Sequence, residues 1–309
     1  MNKIISYIVE PKKIILYFMN KNYLSFIKDK TFLKLKYKLM MGTKLDLDNP
    51  KTFNEKLQWL KLYDRNSEYT KMVDKYEAKE YVANIIGKEH IIPTLGVWDR
   101  YEDIDFDKLP NEFVLKPTHT SGNVFICKDK KSINYKKLKR QVHKWLKRNY
   151  YLIHREWPYK NVKPRIIAEK YMEDKTGELV DYKVYAFNGK CEYVMTCVDR
   201  AKGETKFLYY DKNWNLKKDF SYDGLKYGDT VKVDKPENLD KMFEFAGTLS
   251  KGIPFVRVDF YEANGKLYFG ELTFFHGSGL SNYFIPEEWN KKIGDYINLD
   301  KIKNKEDNT

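Results

Sequence analysis

Cysteine is scarce in this chain. Cys127, Cys191 and Cys197 are the only three in 309 residues. Their wide, irregular spacing forms neither a disulfide framework nor a metal knuckle, which points to a reducing compartment. Histidine is equally thin, and His90, His143 and His154 fall at no metal-binding spacing. No apolar run approaches the roughly 20 residues that a membrane-spanning helix needs. The longest near the N-terminus, "IILYFM" at 14–19, is far too short, and no signal core with a cleavage site accompanies it. A cytoplasmic protein is expected, with the inner face of a membrane as a peripheral location. The nucleotide loop G-x-x-x-x-G-K-[ST] is missing. A kinase H-R-D loop is missing too, since "HRE" at 154–156 lacks its context. No internal repeat or long linker interrupts the chain.

What is abundant is aromatic and basic. Aromatic residues make up 16% of the chain and hydrophobic residues 42%, enough for a large core in one or two domains. The formal charge is +13, but the lysines are spread evenly and no nucleic-acid-reading motif accompanies them. A solvated basic surface is therefore favoured over a nucleic-acid partner.

Residues 1–41 are basic and apolar at helical spacing, with Gly42 as a stop. Such a stretch can lie on a membrane surface or pack as a helix pair, and packing is favoured. "NPKTFNEKLQWLKLYD" opens a helix in which Thr52 and Glu55 have capping-box spacing. A second amphipathic helix is expected over 73–89. Strands are expected at "HIIPTLGVWD", "EFVLKP" and "VFICKD", then a basic helix over about 132–150. From "RIIAEKYM" onward strands dominate. "DYKVYAF" and "CEYVMTCV" flank an Asn188-Gly189 turn, more strands are expected through 205–233, and a helix near 237–251. The class is mixed α+β.

One hairpin, "FVRVDFYEANGKLYFGELTF" at 255–274, carries the chemistry. A two-residue Asn264-Gly265 loop would place Asp259 opposite Gly270 and turn Glu271 to the other face. A three-residue loop, Ala263-Asn264-Gly265, pairs Arg257 with Glu271 instead, with Gly265 in a G1 bulge. It gathers Arg257, Asp259, Glu271 and Thr273 on one face, beside Tyr261, Leu267 and Phe269. Val256, Val258, Phe260, Tyr268, Leu272 and Phe274 then face the core, so this register is preferred. Two carboxylates held so close need a positive partner. Arg257 is one; Mg²⁺, which takes carboxylate and phosphate oxygens, is the other.

"RVDF" followed by "ELT" and a glycine-containing tail resembles the metal-binding end of ATP-grasp enzymes such as the D-alanine–D-alanine ligases. More closely, the chain is similar to the TupA-like (teichuronopeptide biosynthesis) branch, from "NPKTFNEKLQWLKLYDR" to "PEEW", roughly three-quarters of its length. The resemblance implies two α+β subdomains clasping ATP behind an N-terminal helical extension. The boundaries are 1–45 for the basic extension, 46–112 for the N-terminal subdomain, 113–172 for the subdomain with phosphate loop and hinge, 173–300 for the C-terminal subdomain, and a polar tail at 301–309. It implies Lys75 in "VDKYEAK" and Lys116 in "FVLKPTHTSGNV" as phosphate lysines, with Ser121 and Gly122 in the flexible loop. It implies Glu169, Lys170 and Met172 of "IIAEKYM" at the adenine hinge and Asp181 of "DYKV" as the ribose acid. Strand alternation adds Lys183 to the face of Asp181. Asp259 and Glu271 are the implied metal ligands, joined by Thr273, which stands where asparagine is usual.

The implied activity is ADP-forming joining of a carboxylate to an amine, using ATP and Mg²⁺, with Mn²⁺ as a substitute. Arg257 would bind the acceptor carboxylate or the oxyanion. The partners implied are an anionic sugar or polysaccharide of the cell surface and an amine donor. Taken singly, Lys116 is an ordinary strand-end lysine, Glu169-Lys170 a solvated charge pair and Asp181 a turn-proximal acid. His119 and His276 read as hydrogen-bonded loop histidines, and Ser278 in "HGSG" lacks the setting of a nucleophile elbow. Two other enzymes compete. A glycosyltransferase could use Asp103-x-Asp105 or Asp46 and Asp48, and a kinase could pass phosphate from the same ATP to a sugar hydroxyl.

Overall fold

Runs of branched and aromatic residues bounded by turn signals become strands in two sheets. The structure is a computed structural model that describes residues 11–175, 179–199, 203–282, 284–300 and 302. Residues 1–10 of the basic extension, and all of the expected polar tail but Ile302, lie outside the described residues. One sheet holds β1 (Thr94–Trp98), β2 (Phe113–Pro117), β3 (Phe125–Cys127) and β4 (Ile166–Lys170), in the order β1-β4-β2-β3. The other holds β5 (Asp181–Phe187), β6 (Lys190–Val198), β7 (Lys206–Asp211), β8 (Val256–Ala263) and β9 (Lys266–Thr273), in the order β7-β6-β5-β8-β9. Every pairing is antiparallel. The α+β class expected from sequence is what the chain adopts.

Local signals place most elements. Thr52 caps the helix Phe53–Tyr63 through a complete capping box with Glu55. Gly42, at φ 78°, closes the helix Asp29–Met41. Asn188 and Gly189, both at positive φ, turn β5 into β6. Two expectations fail. The helix placed over 73–89 begins only at Glu77, because the Asp74 carboxylate accepts the backbone N–H groups of Tyr76 and Glu77 and starts it there. The strands expected through 205–233 shrink to β7, because the Asp211 carboxylate accepts the N–H groups of Asn213 and Asn215 and folds the chain back. A short helix, Tyr222–Tyr227, follows.

The larger core lies between the second sheet and the helices, with Val184, Val258, Phe260 and Leu272 against Phe53, Leu57, Met242 and Ala246. A smaller core packs Phe113, Leu115, Ile166 and Ala168 of the first sheet against Leu138, Val142 and Trp145. The sheets are tied where Ile91 bridges Phe269 of β9 and where Lys75 N donates to Thr118 O. The helices Pro11–Asn20 and Asp29–Met41 bury Met19, Phe32, Leu33 and Tyr37. Lys36, fully buried, donates to Asn20 Oδ1 and Ile153 O.

The β8–β9 register differs from the preferred one. Ala263 pairs with Lys266 across a two-residue Asn264-Gly265 turn whose residues have φ of 54° and 73°. Left uninterrupted, that turn would put Asp259 opposite Gly270. A bulge between Asp259 and Phe260 absorbs Gly270 instead and sets Asp259 opposite Glu271 and Arg257 opposite Thr273, where the three-residue loop would have paired Arg257 with Glu271. The charged face survives, but its far end changes. Leu267 and Phe269 join the core, and Tyr268 lies opposite Tyr261 on the charged side. The reason is local: both turn residues accept left-handed backbone, and the glycine lets the bulge form. A Cβ on Gly270 would lie 3.0 Å from the Tyr261 ring and 3.1 Å from Asp259 O. Gly270→Val should therefore destabilise the fold by about 1–3 kcal/mol in urea denaturation; an unchanged midpoint would show that the bulge admits a side chain.

Candidate active site

Pleating decides which side chains meet, because residues two apart on a strand share a face. Lys183 of β5 lies opposite Asp259 of β8, and Asp259 lies opposite Glu271 of β9. Three strands therefore bring Asp181, Lys183, Arg257, Asp259, Glu271 and Thr273 to one patch. The Arg257 guanidinium forks onto Asp259, with Nε–Oδ1 at 2.7 Å and Nη2–Oδ2 at 2.8 Å. Lys183 Nζ lies 2.5 Å from Asp259 Oδ2 and 2.6 Å from Asp181 Oδ2. Arg257 Nη2 also donates to Thr273 Oγ1 at 3.1 Å and stands 3.8 Å from Glu271 Oε1. Lys75 Nζ closes the patch at 3.1 Å from Glu271 Oε2. Lys75 sits in the linker ahead of the helix Glu77–Ile86 rather than on it.

The electrostatics follow from this packing. Burial alone would raise the Glu271 carboxyl, but Lys75, Lys183 and Arg257 outweigh it and hold it well below the carboxylate range. Desolvation pushes Asp259 up against the pull of Arg257 and Lys183. Burial works against the charge on Arg257 and Lys183 as well, yet the neighbouring Asp259 carboxylate outweighs it and raises both. Glu271 keeps 34% of its side chain exposed while Asp259 keeps 1%, so the patch opens to solvent at Glu271.

A second ionic group sits on the first sheet. Glu169 is buried on β4 between Lys116 Nζ at 2.5 Å and Lys79 Nζ at 2.6 Å. Lys79 also donates to Ile92 O. Sequence reasoning overlooked Lys79, the second lysine of "VDKYEAK", which stands on the helix that Lys75 precedes. Lys75 and Lys79 thus serve different acids on different sheets. Lys170 turns outward into solvent, and Met172 is half-buried just beyond β4. Glu169, far from a solvated partner of Lys170, is the anchor of the lysine pair.

The loop after β2 is rooted by buried Thr118, His119 and Thr120, while Gly122 at its tip has φ 76° and open space around it. Ser121 is half-buried beside it. His119 binds Trp145 O through Nε2 and so serves the loop's root. His276 does more. Arg257 Nη1 donates to its Nδ1 at 2.5 Å, and burial together with the cations beside it drives the imidazole pKa well down, so the neutral ring acts as acceptor. The next turn holds Gly277, Ser278 and Gly279 all at positive φ. Ser278 donates its hydroxyl to buried Glu156, while Lys61 and Gln58 hold Ser278 O, each at 2.8 Å. Glu156, Lys61 and Gln58 went unnoticed in the sequence because their partners lie more than a hundred residues away.

The rival metal pairs are spent locally. Asp103 pairs with Arg100, Asp105 with Lys108, and Asp46 accepts the N–H groups of Asp48 and Asn49. Among the described residues, no three or more His, Cys, Asp or Glu side chains gather to hold an ion unaided. Two facing carboxylates with a neighbouring hydroxyl suit a hard cation that completes its shell from phosphate and water.

The model of the TupA-like ATP-grasp family matches residues 55–298. The chain belongs to the TupA-like ATP-grasp family. Its fold is similar to solved ATP-grasp structures at low identity. D-alanine–D-alanine ligase from Bacillus anthracis complexed with ATP is 17% identical with TM-score 0.47, covering 76% of this chain and 68% of that one. The ATP-grasp ligase PsnB complexed with minimal precursor, Mg and ADP is 12% identical with TM-score 0.42, covering 87% and 71%. D-cycloserine synthetase DcsG is 12% identical with TM-score 0.40, covering 88% and 79%. No curated protein matches the sequence.

In this TupA-like chain Glu169 provides a test of the second ionic group. Burial would raise its carboxyl, but Lys116 and Lys79 hold it below its ordinary 4.5. A depressed folded pKa gives stability that is complete above the unfolded value and lost as pH falls through the folded one. Lys79→Met removes one cation, so the folded pKa rises and acid unfolding should begin at higher pH in urea melts from about pH 3 to 7. Profiles of the same shape for both proteins would show that Lys79 does not support Glu169.

Proposed function

We propose that this chain is an ATP-dependent, ADP-forming ligase that joins a carboxylate to an amine through an acyl phosphate. The observation that carries this reading is the pair Asp259 and Glu271, set opposite each other on one sheet face with Lys75, Lys183 and Arg257 around them. Segments 113–172 and 173–300 are then the two subdomains that clasp the nucleotide, and 46–112 supplies Lys75. Asp259, Glu271 and the Thr273 hydroxyl would hold Mg²⁺, which when bound neutralises charge on the β- and γ-phosphates.

The chain's own residues do the rest. Lys75 and Lys183 exchange their carboxylate partners for phosphate oxygens, while Lys116 and the backbone of Ser121 and Gly122 cover the phosphates from the other sheet. Lys170 and Met172, at and just past the end of β4, would serve the adenine while Glu169 holds Lys116 and Lys79 in place, and Asp181 would serve the ribose. Arg257, held by Asp259 and His276, would present its guanidinium to the acceptor carboxylate or to the oxyanion formed on amine attack. A uronic-acid-containing cell-surface polysaccharide or its precursor is the carboxylate class, and an amino acid or simple amine the partner.

The test is a panel of uronic acids against amino acids with ATP and Mg²⁺, scored by ADP release. Release that needs both partners is expected. Release with a sugar alone would make the protein a kinase, and turnover of a UDP-sugar without ATP a glycosyltransferase. In the active pair, Glu271→Gln and Arg257→Ala should each lower kcat by about 10²–10³-fold. Full activity in either variant would remove the hairpin from the reaction.

A further inference from the structure

The two N-terminal helices are buried on one side only. On the other side Phe26 is 80% exposed and Tyr23 60%, with Ile14, Tyr17 and Phe18 also exposed. The rings form one patch: Tyr17 lies 5.9 Å from Phe18, and Phe18 5.6 Å from Tyr23. The turn carrying Tyr23 and Phe26 is held from beneath. Arg155, 1% exposed, donates Nη2 to the carbonyls of Leu24, Ser25 and Ile27 and lies 4.1 Å from the Phe32 ring. A buried guanidinium is costly to place, so this turn is fixed with its rings outward rather than frayed.

The segment that carries the rings is basic in sequence. Residues 11–28 contain Lys12, Lys13, Lys21 and Lys28 and no acid, and Lys21 Nζ sits 5.8 Å from the Tyr17 ring. Asp29, the next acid, turns inward to Tyr151 and Arg155. Among the described residues no helix is long and apolar enough to cross a membrane. Aromatic rings and the methylene stems of lysines partition into the headgroup layer, and the ammonium groups meet lipid phosphates there.

We propose that this face, centred on Tyr17, Phe18, Tyr23 and Phe26, docks the protein on the surface of an anionic phospholipid bilayer. A second copy of the chain fits it less well, since a two-fold contact would set Lys12, Lys13, Lys21 and Lys28 against themselves. The proposal stands on the patch alone and does not depend on the ligase reading.

Flotation of the full chain with vesicles decides it. Binding to phosphatidylcholine vesicles containing phosphatidylglycerol is expected, with weak binding to phosphatidylcholine alone and release as salt rises. Each of Tyr23→Ser and Phe26→Ser should weaken partition about tenfold, with thermal melts unchanged because the rings are exposed. Lys21→Glu with Lys28→Glu should weaken binding to anionic vesicles and leave binding to neutral ones unaltered. Equal binding of the wild type to both vesicle types would overturn the proposal, as would undiminished binding of the Tyr23→Ser/Phe26→Ser double variant. A dimer in light scattering that the double variant abolishes, without vesicle binding by either protein, would assign the face to a second copy instead.

Discussion

Two carboxylates facing each other across adjacent strands repel, and the rest of the site is organised by that repulsion. Asp259 and Glu271 are tolerable as neighbours only because Arg257 is forked onto the first, Lys183 shares it and Lys75 holds the second. Removing one cation from such a buried group leaves an uncompensated charge. The cluster therefore acts as a unit, and its members are drawn from β5, β8, β9 and the linker before the helix Glu77–Ile86. A strand face that would otherwise be apolar becomes a preorganised set of donors and acceptors.

The same linker joins this unit to the other sheet. Lys75 reaches Glu271 through its side chain and Thr118 through its backbone, and Lys79 one turn later reaches Glu169. The linker and the first turn of the helix it leads into thus see both acidic centres. Loss of Lys75 or Lys79 is felt on a different sheet in each case. Behind Arg257, a further polar layer of His276, Ser278, Glu156 and Lys61 continues into the core and meets the N-terminal helices, since Lys36 bonds Ile153 beside Glu156. A chain of polar contacts thus runs from the candidate site to the N-terminal helices.

Much of the site was legible because its signals are short-range. "RVDF" and "ELT" place Arg257, Asp259, Glu271 and Thr273 at even spacing, and the Asn264-Gly265 pair marks the turn. The register was not legible in detail. A two-residue turn with a glycine bulge and a three-residue loop both gather Arg257, Asp259, Glu271 and Thr273 on one face. They differ in the partner of Glu271, which is Asp259 in the first and Arg257 in the second, and in whether Leu267 and Phe269 join the core. Residues 205–233 misled because aromatic, alternating stretches look like strand until Asp211 and Ser221 divert the backbone through their side chains.

The sequence by itself determined the α+β class, most of the strands and helices outside 205–233, the capping box at Thr52 and the ionic pattern of the last hairpin, since all of these rest on periodicity and on contacts within a few residues. Tertiary structure alone decided which lysine serves which acid, that Arg257 rests on His276, that Ser278 is tied to Glu156, and which aromatic residues of the N-terminal helices stay outside. Those outcomes depend on side chains far apart in the chain meeting in a space whose dielectric and crowding no local pattern encodes.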